Sequence, residues 1–316
     1  MTNLIKTGVL LAALTAVFVV AGFLIAGRVG MIAALVMALA VNAFAYWFSA
    51  DMLLRAYGAR KVTRASDPQL YGLVADLAGR AALPMPRVYL IDSPQPNAFA
   101  TGRNPANAAV AVTTGLLHLL TPEEVAGVIG HELAHVRNYD ILTMTVAASI
   151  AGAIAILADP RLVFGSGPRD DQGQSNGPGL IGGLLLIILA PLAAALVQMA
   201  ISRTREYEAD RGGAEICGHP VWLADALTKI HQGARQIANP AAEARPSTAH
   251  LFIINPLRAG RLSELFASHP PTTERVRRLR LMAGSLGGGE IARLARTGGT
   301  TAPQPAARLR GVVGRL

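Results

Sequence analysis

The sequence predicts a mainly α-helical membrane protein with about four membrane helices and a small three-stranded β-sheet. Of the 316 residues, 52% are hydrophobic and only 16% are charged, which is more apolar than an ordinary soluble protein. Four stretches without charge account for the excess: 7–27, 29–50, 141–158 and 179–201. A bilayer core needs about 20 residues of apolar helix. The third stretch is therefore marginal, and a buried helix is an alternative.

The two N-terminal stretches predict a transmembrane hairpin over residues 1–50. Lys6 precedes the first stretch, as a basic residue precedes the apolar part of a signal peptide, but the second stretch follows with only Arg28 between them. A cleaved leader would not need such a partner. The other two stretches predict a second hairpin over residues 141–201, with a polar loop at 159–178.

Basic residues predict the orientation. They cluster after the second stretch and in the C-terminal part, whereas loop 159–178 has no positive excess. Because cytoplasmic loops carry the excess Lys and Arg, the N-terminus, residues 51–140 and residues 202–316 are expected in the cytoplasm. This bias, with attraction to anionic lipid headgroups, explains the net charge of +9. No nucleic-acid motif is present, so nucleic acid is not an expected partner. The tail 284–316 has few large side chains and is predicted to be disordered.

The part between the hairpins contains the signals of a small folded domain. Asp67 predicts the start of a helix over 68–82. Segments 87–91, 97–101 and 108–112 are separated by turn residues and predict three short strands. An edge of this sheet could bind extended peptide, or the sheet could only cover the domain. Thr121-Pro-Glu-Glu124 is a capping box that predicts a helix running to about Asp140 and directly into the third apolar stretch.

That last helix contains the segment His131-Glu-Leu-Ala-His135. The two histidines are four residues apart, so both imidazoles project from one face and can bind one metal ion. Glu132 is close enough to hold a metal-bound water and to accept its proton. Zn²⁺ fits because its catalytic sites keep one coordination position for water. The alternative is a chance pattern on an amphipathic helix, but the uncharged neighbours predict buried histidines that need partners. The segment therefore predicts a zinc protease.

Two histidines and a water leave one position for a further protein ligand. A third histidine beyond a glycine is excluded, because Asn138 and Ile141 occupy those positions. The best candidate is the acidic segment after the fourth apolar stretch. There Glu206 and Asp210 share one helix face, and they can supply a zinc ligand and a carboxylate that orients a histidine ring. The alternative is a solvated, charge-rich helix beside the membrane. Cys217 is the only cysteine, which excludes a thiolate zinc cluster.

Three segments in this order resemble the HtpX-type membrane metalloproteases, bacterial heat-shock proteases related to the CAAX prenyl endopeptidases. They are the 131–135 motif, Arg205-Glu-Tyr-Glu-Ala-Asp210 and His269-Pro-Pro-Thr-Thr-Glu-Arg275. Segment 96–102 is similar as well, and the resemblance covers residues 1–283. It implies a gluzincin-type domain in which His131, His135 and Glu206 bind one Zn²⁺ and Glu132 is the general base. It also implies a multi-pass protein of the bacterial inner membrane, which cleaves misfolded or damaged membrane proteins on the cytoplasmic side under stress.

The remaining site residues are candidates for contacts with substrate. His269 is the candidate donor to the scissile carbonyl, by resemblance and because a histidine before Pro-Pro has a constrained backbone. Arg203 and Arg275 are weaker candidates for substrate binding, and each could instead pair with Asp210 or a neighbouring acid. Asn97 is a candidate for holding substrate backbone, mainly by resemblance.

Two other functions compete with proteolytic quality control. One is a CAAX-type prenyl-protein endopeptidase, although the related eukaryotic enzymes have more membrane helices than the four stretches here. The other is a membrane scaffold with a vestigial metal site, which would have no need of Glu132.

Overall fold

The computed structural model of the chain describes residues 2–147, 203–255 and 270–297. Within these ranges the protein is mainly helical, as the sequence predicts. Several predicted features lie outside the described residues: the fourth apolar stretch, most of the third, loop 159–178, His269 and the end of the tail.

Helix α1 (Thr2–Ala56) contains a break where the sequence predicts the tip of the N-terminal hairpin. The backbone at Ala26–Gly27 is not helical, and Gly27 has a φ of 58°, which favours glycine. Beyond the break the chain turns back. Asn42 Nδ2 donates a hydrogen bond to Thr15 Oγ1 at 3.0 Å, which joins the two arms of α1.

Among the described helices, one arm of α1 is long and apolar enough to cross a membrane. This arm, Ala26–Ala56, is strongly apolar, and little of its apolar stretch is buried inside the protein. The described residues therefore contain one candidate membrane helix, where the sequence predicts about four in the whole chain.

A mixed sheet of four strands follows α1, in the order β1-β2-β4-β3. Strands β2 and β4 are parallel, and β1 and β3 are antiparallel to their neighbours. The strands are β1 (Arg60–Val62), β2 (Arg87–Ile91), β3 (Ala98–Gly102) and β4 (Ala108–Thr113). The prediction of three strands was wrong by one. Strand β1 is short and mostly exposed and charged, so its sequence has no alternating apolar pattern.

Strand β3 lies at the edge of the sheet, all five of its residues are buried, and its outer side faces the site. Thr113 N donates to Asn97 O at 3.0 Å, so the alternate residues Ala98 and Ala100 turn their backbone groups away from β4. Ile253 N occupies the first position of this edge by donating to Ala98 O at 3.1 Å.

Helix α2 (Pro68–Arg80) begins as predicted, because the Asp67 side chain accepts a hydrogen bond from Leu70 N. Helix α3 (Thr114–Leu119) follows β4 and leads into α4 (Pro122–Arg137), which carries the histidines. The predicted capping box at the start of α4 is present: Thr121 Oγ1 accepts from Glu124 N, and Glu124 Oε2 accepts from Thr121 N.

The end of α4 differs from the prediction that the helix runs unbroken to Asp140. Helix α4 ends at Arg137, Asn138 is its C-cap, and Tyr139 has a φ of 60° before helical residues resume at 140–147. The left-handed conformation of Tyr139 interrupts the helix at this point. Asp140 consequently faces back toward His135.

Two of the remaining described helices, α5 (Arg203–Cys217) and α6 (Pro220–Gln236), contact α4 directly. Helix α8 (Thr272–Thr297) lies against both of them. At the crossing of α4 and α5, a Cβ on Gly213 would lie 2.6 Å from His131 Cα, so the two backbones touch beside the first histidine. Cys217 is buried at the end of α5. The short helix α7 (Pro240–Glu243) lies between α6 and α8 in the chain, and 3₁₀ turns are found at Pro105–Asn107 and Pro246–Leu251.

Candidate metal centre

His131, His135 and Glu206 come together where α4 crosses α5, and together they could hold a metal ion. All three are buried, and one ligand atom of each lies within 4.8 Å of the others. The Nε2 atoms of His131 and His135 lie 3.8 Å and 3.5 Å from the two carboxylate oxygens of Glu206. Ligand atoms about 2.0–2.1 Å from a tetrahedral zinc ion are about 3.3 Å apart. The group therefore needs only a small contraction to bind zinc.

A carboxylate orients each histidine ring from the side opposite Glu206. His131 Nδ1 lies 3.1 Å from Asp210 Oδ1, and His135 Nδ1 lies 3.0 Å from Asp140 Oδ2. These contacts fix both rings with Nε2 toward the space between the ligands. Histidines that bind metals commonly have such partners, which fix the tautomer and make the ring a better ligand.

Arg275 on α8 holds Asp210 in place. Its Nε and Nη2 donate to the two oxygens of Asp210 at 2.8 Å and 2.6 Å, and its Nη1 donates to Ile253 O at 2.9 Å. Only 1% of Arg275 is exposed. Burial raises the pKa of Asp210, but Arg275 outweighs it and holds that pKa below its usual value.

The buried charges of the cluster call for a cation when both histidine rings are neutral, as metal ligands are. Four carboxylates are buried there, those of Glu132, Asp140, Glu206 and Asp210, and the buried arginines Arg275 and Arg205 lie beside them. With every acid ionised and both rings neutral, the formal sum is four negative charges against two positive charges. Buried charges need compensation, so the cluster fits a divalent cation.

Glu132 lies beside the ligands and next to the outer edge of β3. Burial raises its pKa to about 7; His135 opposes this rise, Glu206 adds to it, and a hydrogen bond to the backbone of Ala100 also opposes it. A carboxyl with this pKa can accept and release a proton near neutral pH. The contact with Ala100 places the carboxyl at the strand where a peptide could bind.

The two histidines differ in pKa although both are buried. Burial lowers the pKa of His131 to about 4; the hydrogen bond with Asp210 opposes this, but the charge of Arg275 adds to it. Burial also lowers the pKa of His135, but the carboxylates around it, Asp140 first among them, raise it to about 9. The surroundings of His135 thus favour a positive charge at that position, and those of His131 keep its ring neutral.

Four further residues were predicted to contact the substrate: Asn97, Arg203, Arg275 and His269. Asn97 is fully buried, and its amide is engaged within the chain: Nδ2 donates to Ile254 O, and Oδ1 accepts from Ala98 N. Arg203 is exposed at the start of α5. The ion pair of Arg275 with Asp210 is the alternative that the sequence left open, and the geometry favours it over a contact with substrate. His269 lies outside the described residues.

Sequence reasoning missed Asp140 and Arg205. Arg205 Nε lies 3.8 Å from Asp140 Oδ1, so this pair supports His135 much as Asp210 and Arg275 support His131. In a continuous helix, a residue five positions after His135 would point to another face. The break at Tyr139 brings Asp140 back, and the signal that could have predicted the break is Arg137 in the last turn followed by Asn138 as the C-cap.

The model of peptidase family M48 matches residues 64–283, which is more than half of the chain. The chain belongs to peptidase family M48. The zinc of that family would have a suitable set of ligands in His131, His135 and Glu206. This finding confirms the metallopeptidase resemblance seen in the sequence.

The chain is also similar to the crystal structure of S. mikatae Ste24p. The two share 20% sequence identity with a TM-score of 0.49, and the match covers 88% of this chain and 65% of that chain. The chain thus spans less than two thirds of the length of that protein.

Proposed function

We propose that this M48 peptidase is a membrane-anchored zinc endopeptidase of the bacterial inner membrane. It hydrolyses peptide bonds of misfolded or damaged membrane proteins at the cytoplasmic membrane face, as part of proteolytic quality control under stress. One observation carries the proposal. Glu132 lies beside His135 and Glu206 and hydrogen bonds to the backbone of Ala100 at the outer edge of β3, so a base and a strand edge that could pair with extended peptide meet at one point.

The chain's own residues supply the base and the fixed frame of the reaction. His131, His135 and Glu206 would hold the zinc ion, and Asp210 and Asp140 keep the two rings in the orientation that binding requires. When bound, zinc supplies Lewis acidity for a water molecule and for the scissile carbonyl. Glu132 accepts the proton of the attacking water on its carboxylate and passes it to the leaving amine. His269 remains the proposed donor to the carbonyl oxygen.

In this proposal the substrate binds through its backbone at the outer edge of β3, and it displaces the contacts that Ile253 makes with Ala98 and that Glu132 makes with Ala100. The groups of Ala100 point away from β4, toward Glu132. An extended peptide that pairs with this edge needs no particular side chains for its main-chain hydrogen bonds. Unfolded segments expose such backbone and folded proteins do not, which fits a protease for misfolded substrates.

The candidate membrane helix connects directly to this edge. Tyr57, just beyond the end of α1, packs against Phe99 of β3 and against Phe252, with ring centroids 5.9 Å and 5.3 Å apart. Its hydroxyl also hydrogen bonds to Thr248. These contacts support a substrate edge held at a fixed height above the bilayer, within reach of membrane-protein substrates.

Cleavage by the purified full chain in lipid nanodiscs tests the proposal. An unfolded soluble protein, an unfolded membrane protein and a farnesylated CAAX peptide are offered in parallel, with a chelator and after zinc is restored. We expect zinc-dependent cleavage of both unfolded proteins. Cleavage confined to the prenylated peptide would instead establish the CAAX-type activity, and zinc binding without any cleavage would establish the scaffold.

A further inference from the structure

A cavity of about 210 Å³ lies where α1 meets the connection between β3 and β4. Aromatic side chains of α1, Tyr46 and Trp47, line one side. Polar and charged side chains line the rest: Asp51, Arg87, Arg103 and Asn107. The metal ligands are not among the lining residues.

The cavity has an uncompensated positive charge. Arg87 Nη1 pairs with Asp51 Oδ1 at 2.7 Å, which neutralises both groups. Arg103 is half-buried and has no hydrogen-bond or ion-pair partner among the described residues. A half-buried guanidinium has lost part of its hydration, so an anion in the cavity would be favoured.

The loop that carries Arg103 is held in a defined shape. Gly102 has a φ of 140°, and a Cβ there would lie 2.5 Å from Asn107 O, so the loop passes close to itself. Asn104 Oδ1 accepts hydrogen bonds from Asn107 N at 3.0 Å and Asn107 Nδ2 at 2.9 Å. Arg103 is therefore presented by a preformed turn, which lowers the entropic cost of binding an anion.

The cavity lies at the end of the apolar part of α1. Residues 29–50 have no charge, and Asp51 is the first charged residue beyond them. Aromatic rings cluster at this level, with Phe44 and Phe48 5.0 Å apart and Trp47 55% exposed. Tyr and Trp favour the boundary between bilayer and water. If residues 26–56 cross the membrane, Arg103 is level with the phosphates of the lipid headgroups.

We propose that this cavity binds the phosphate of an anionic glycerophospholipid. Arg103 pairs with the phosphate, the Tyr46 and Trp47 rings flank the glycerol, and the acyl chains lie along the exposed apolar side chains of α1. Arg103 directly follows the last residue of β3, so a bound lipid holds the far end of the substrate edge against the membrane. This inference rests on the proposed membrane placement of α1 and not on the protease chemistry.

Native mass spectrometry of the full chain in detergent tests the site by titration with phosphatidylglycerol. A Glu132→Gln background prevents self-cleavage. We expect one tightly bound phosphatidylglycerol and weaker binding of phosphatidylcholine. Arg103→Ala is expected to weaken phosphatidylglycerol binding by at least about tenfold, the effect of losing one charge-assisted contact. Arg64→Ala removes an exposed arginine outside the cavity and is the matched control, for which we expect a much smaller change.

Three results would overturn the proposal. They are equal losses in the two arginine variants, equal affinity for the two lipids, or displacement of the lipid by equimolar glycerol 3-phosphate, which would indicate a site for soluble phosphate. Arg103→Gln, which keeps most of the side chain, provides the same test if the alanine variant fails to fold. Because the readout is lipid binding, a negative result leaves the peptidase proposal intact.

Discussion

The chain supports the two histidines of its candidate metal centre by similar contacts that it builds in different ways. His131 is held by Asp210, which lies on another helix and is fixed by two hydrogen bonds of 2.8 Å and 2.6 Å from Arg275. His135 is held by Asp140, only five residues further along the chain, and the nearest arginine contact of Asp140 is longer, at 3.8 Å. The His131 support thus joins α4, α5 and α8, and the His135 support is mostly local.

The difference indicates separate tasks for the two supports. Burial and the positive charge of Arg275 keep the pKa of His131 low, so that ring stays neutral, and the contacts of Arg275 tie the three helices together at the site. The His135 side carries more negative charge and attracts the cation. A folding role is therefore expected to dominate on the His131 side, and a metal-affinity role on the His135 side.

The largest effect is expected from Arg275→Met. It leaves the buried Asp210 carboxylate without its partner, and removing one member of a buried ion pair costs about 3–5 kcal/mol of unfolding free energy. Arg205→Met is expected to cost less, because its contact with Asp140 is longer. Denaturant unfolding of the metal-free protein in detergent measures both. Arg277→Met, in an exposed pair with Glu274, is the control. Equal losses for Arg275 and Arg205 would contradict the distinction.

A methyl group added where α4 crosses α5 tests whether the close contact between these helices beside His131 positions the site. In Gly213→Ala the new Cβ would lie 2.6 Å from the backbone of His131, so α5 must shift and carry Glu206 with it. We expect a loss of about 1–3 kcal/mol in stability together with weaker zinc binding. Gly212→Ala is the matched control, because its Cβ first meets the movable end of the Arg137 side chain. If Gly212→Ala were the more damaging change, the close approach at Gly213 would not be what sets the site.

Replacing Asp140 and Asp210 in turn by the neutral asparagine shows how much each carboxylate contributes to zinc affinity. Asp140→Asn and Asp210→Asn are each expected to weaken zinc binding by about 10–100-fold, since such partners orient the ring. Asp210→Asn is expected to lower stability more than Asp140→Asn does, because the Arg275 contacts that it removes are shorter than the Arg205 contact of Asp140. Competition with a zinc-sensitive dye measures affinity. Glu208→Gln, exposed on the same helix, is the control. Unchanged affinity in both variants would show that the rings need no such support.

The sequence predicted the features of the site that depend on local spacing or on side-chain chemistry. His131, Glu132 and His135 follow from a helical spacing of four, and the start of α4 follows from its capping box. Glu206 and Asp210 follow from one helix face, although the 70 residues between His135 and Glu206 hide the contact itself. The resemblance added His269 and the wider family.

The features that the sequence did not predict depend on tertiary geometry. Asp140 reaches His135 only because Tyr139 adopts a left-handed conformation, which a tyrosine rarely does. The pairing of Arg275 with Asp210 was left open because several acids were available to it. Strand β1 exists because β2 offers it an edge, since three largely exposed residues have little strand signal of their own.

The central claim is that Glu132 is the base of a zinc site held by His131, His135 and Glu206. Measuring zinc content and cleavage of an unfolded protein for Glu132→Gln and Glu206→Gln tests it most directly. We expect Glu132→Gln to retain one zinc per chain while cleavage falls by about 10²–10⁴-fold, the usual contribution of a general base. Glu206→Gln is expected to lose zinc and activity together. Cleavage at the normal rate by zinc-loaded Glu132→Gln would contradict the mechanism.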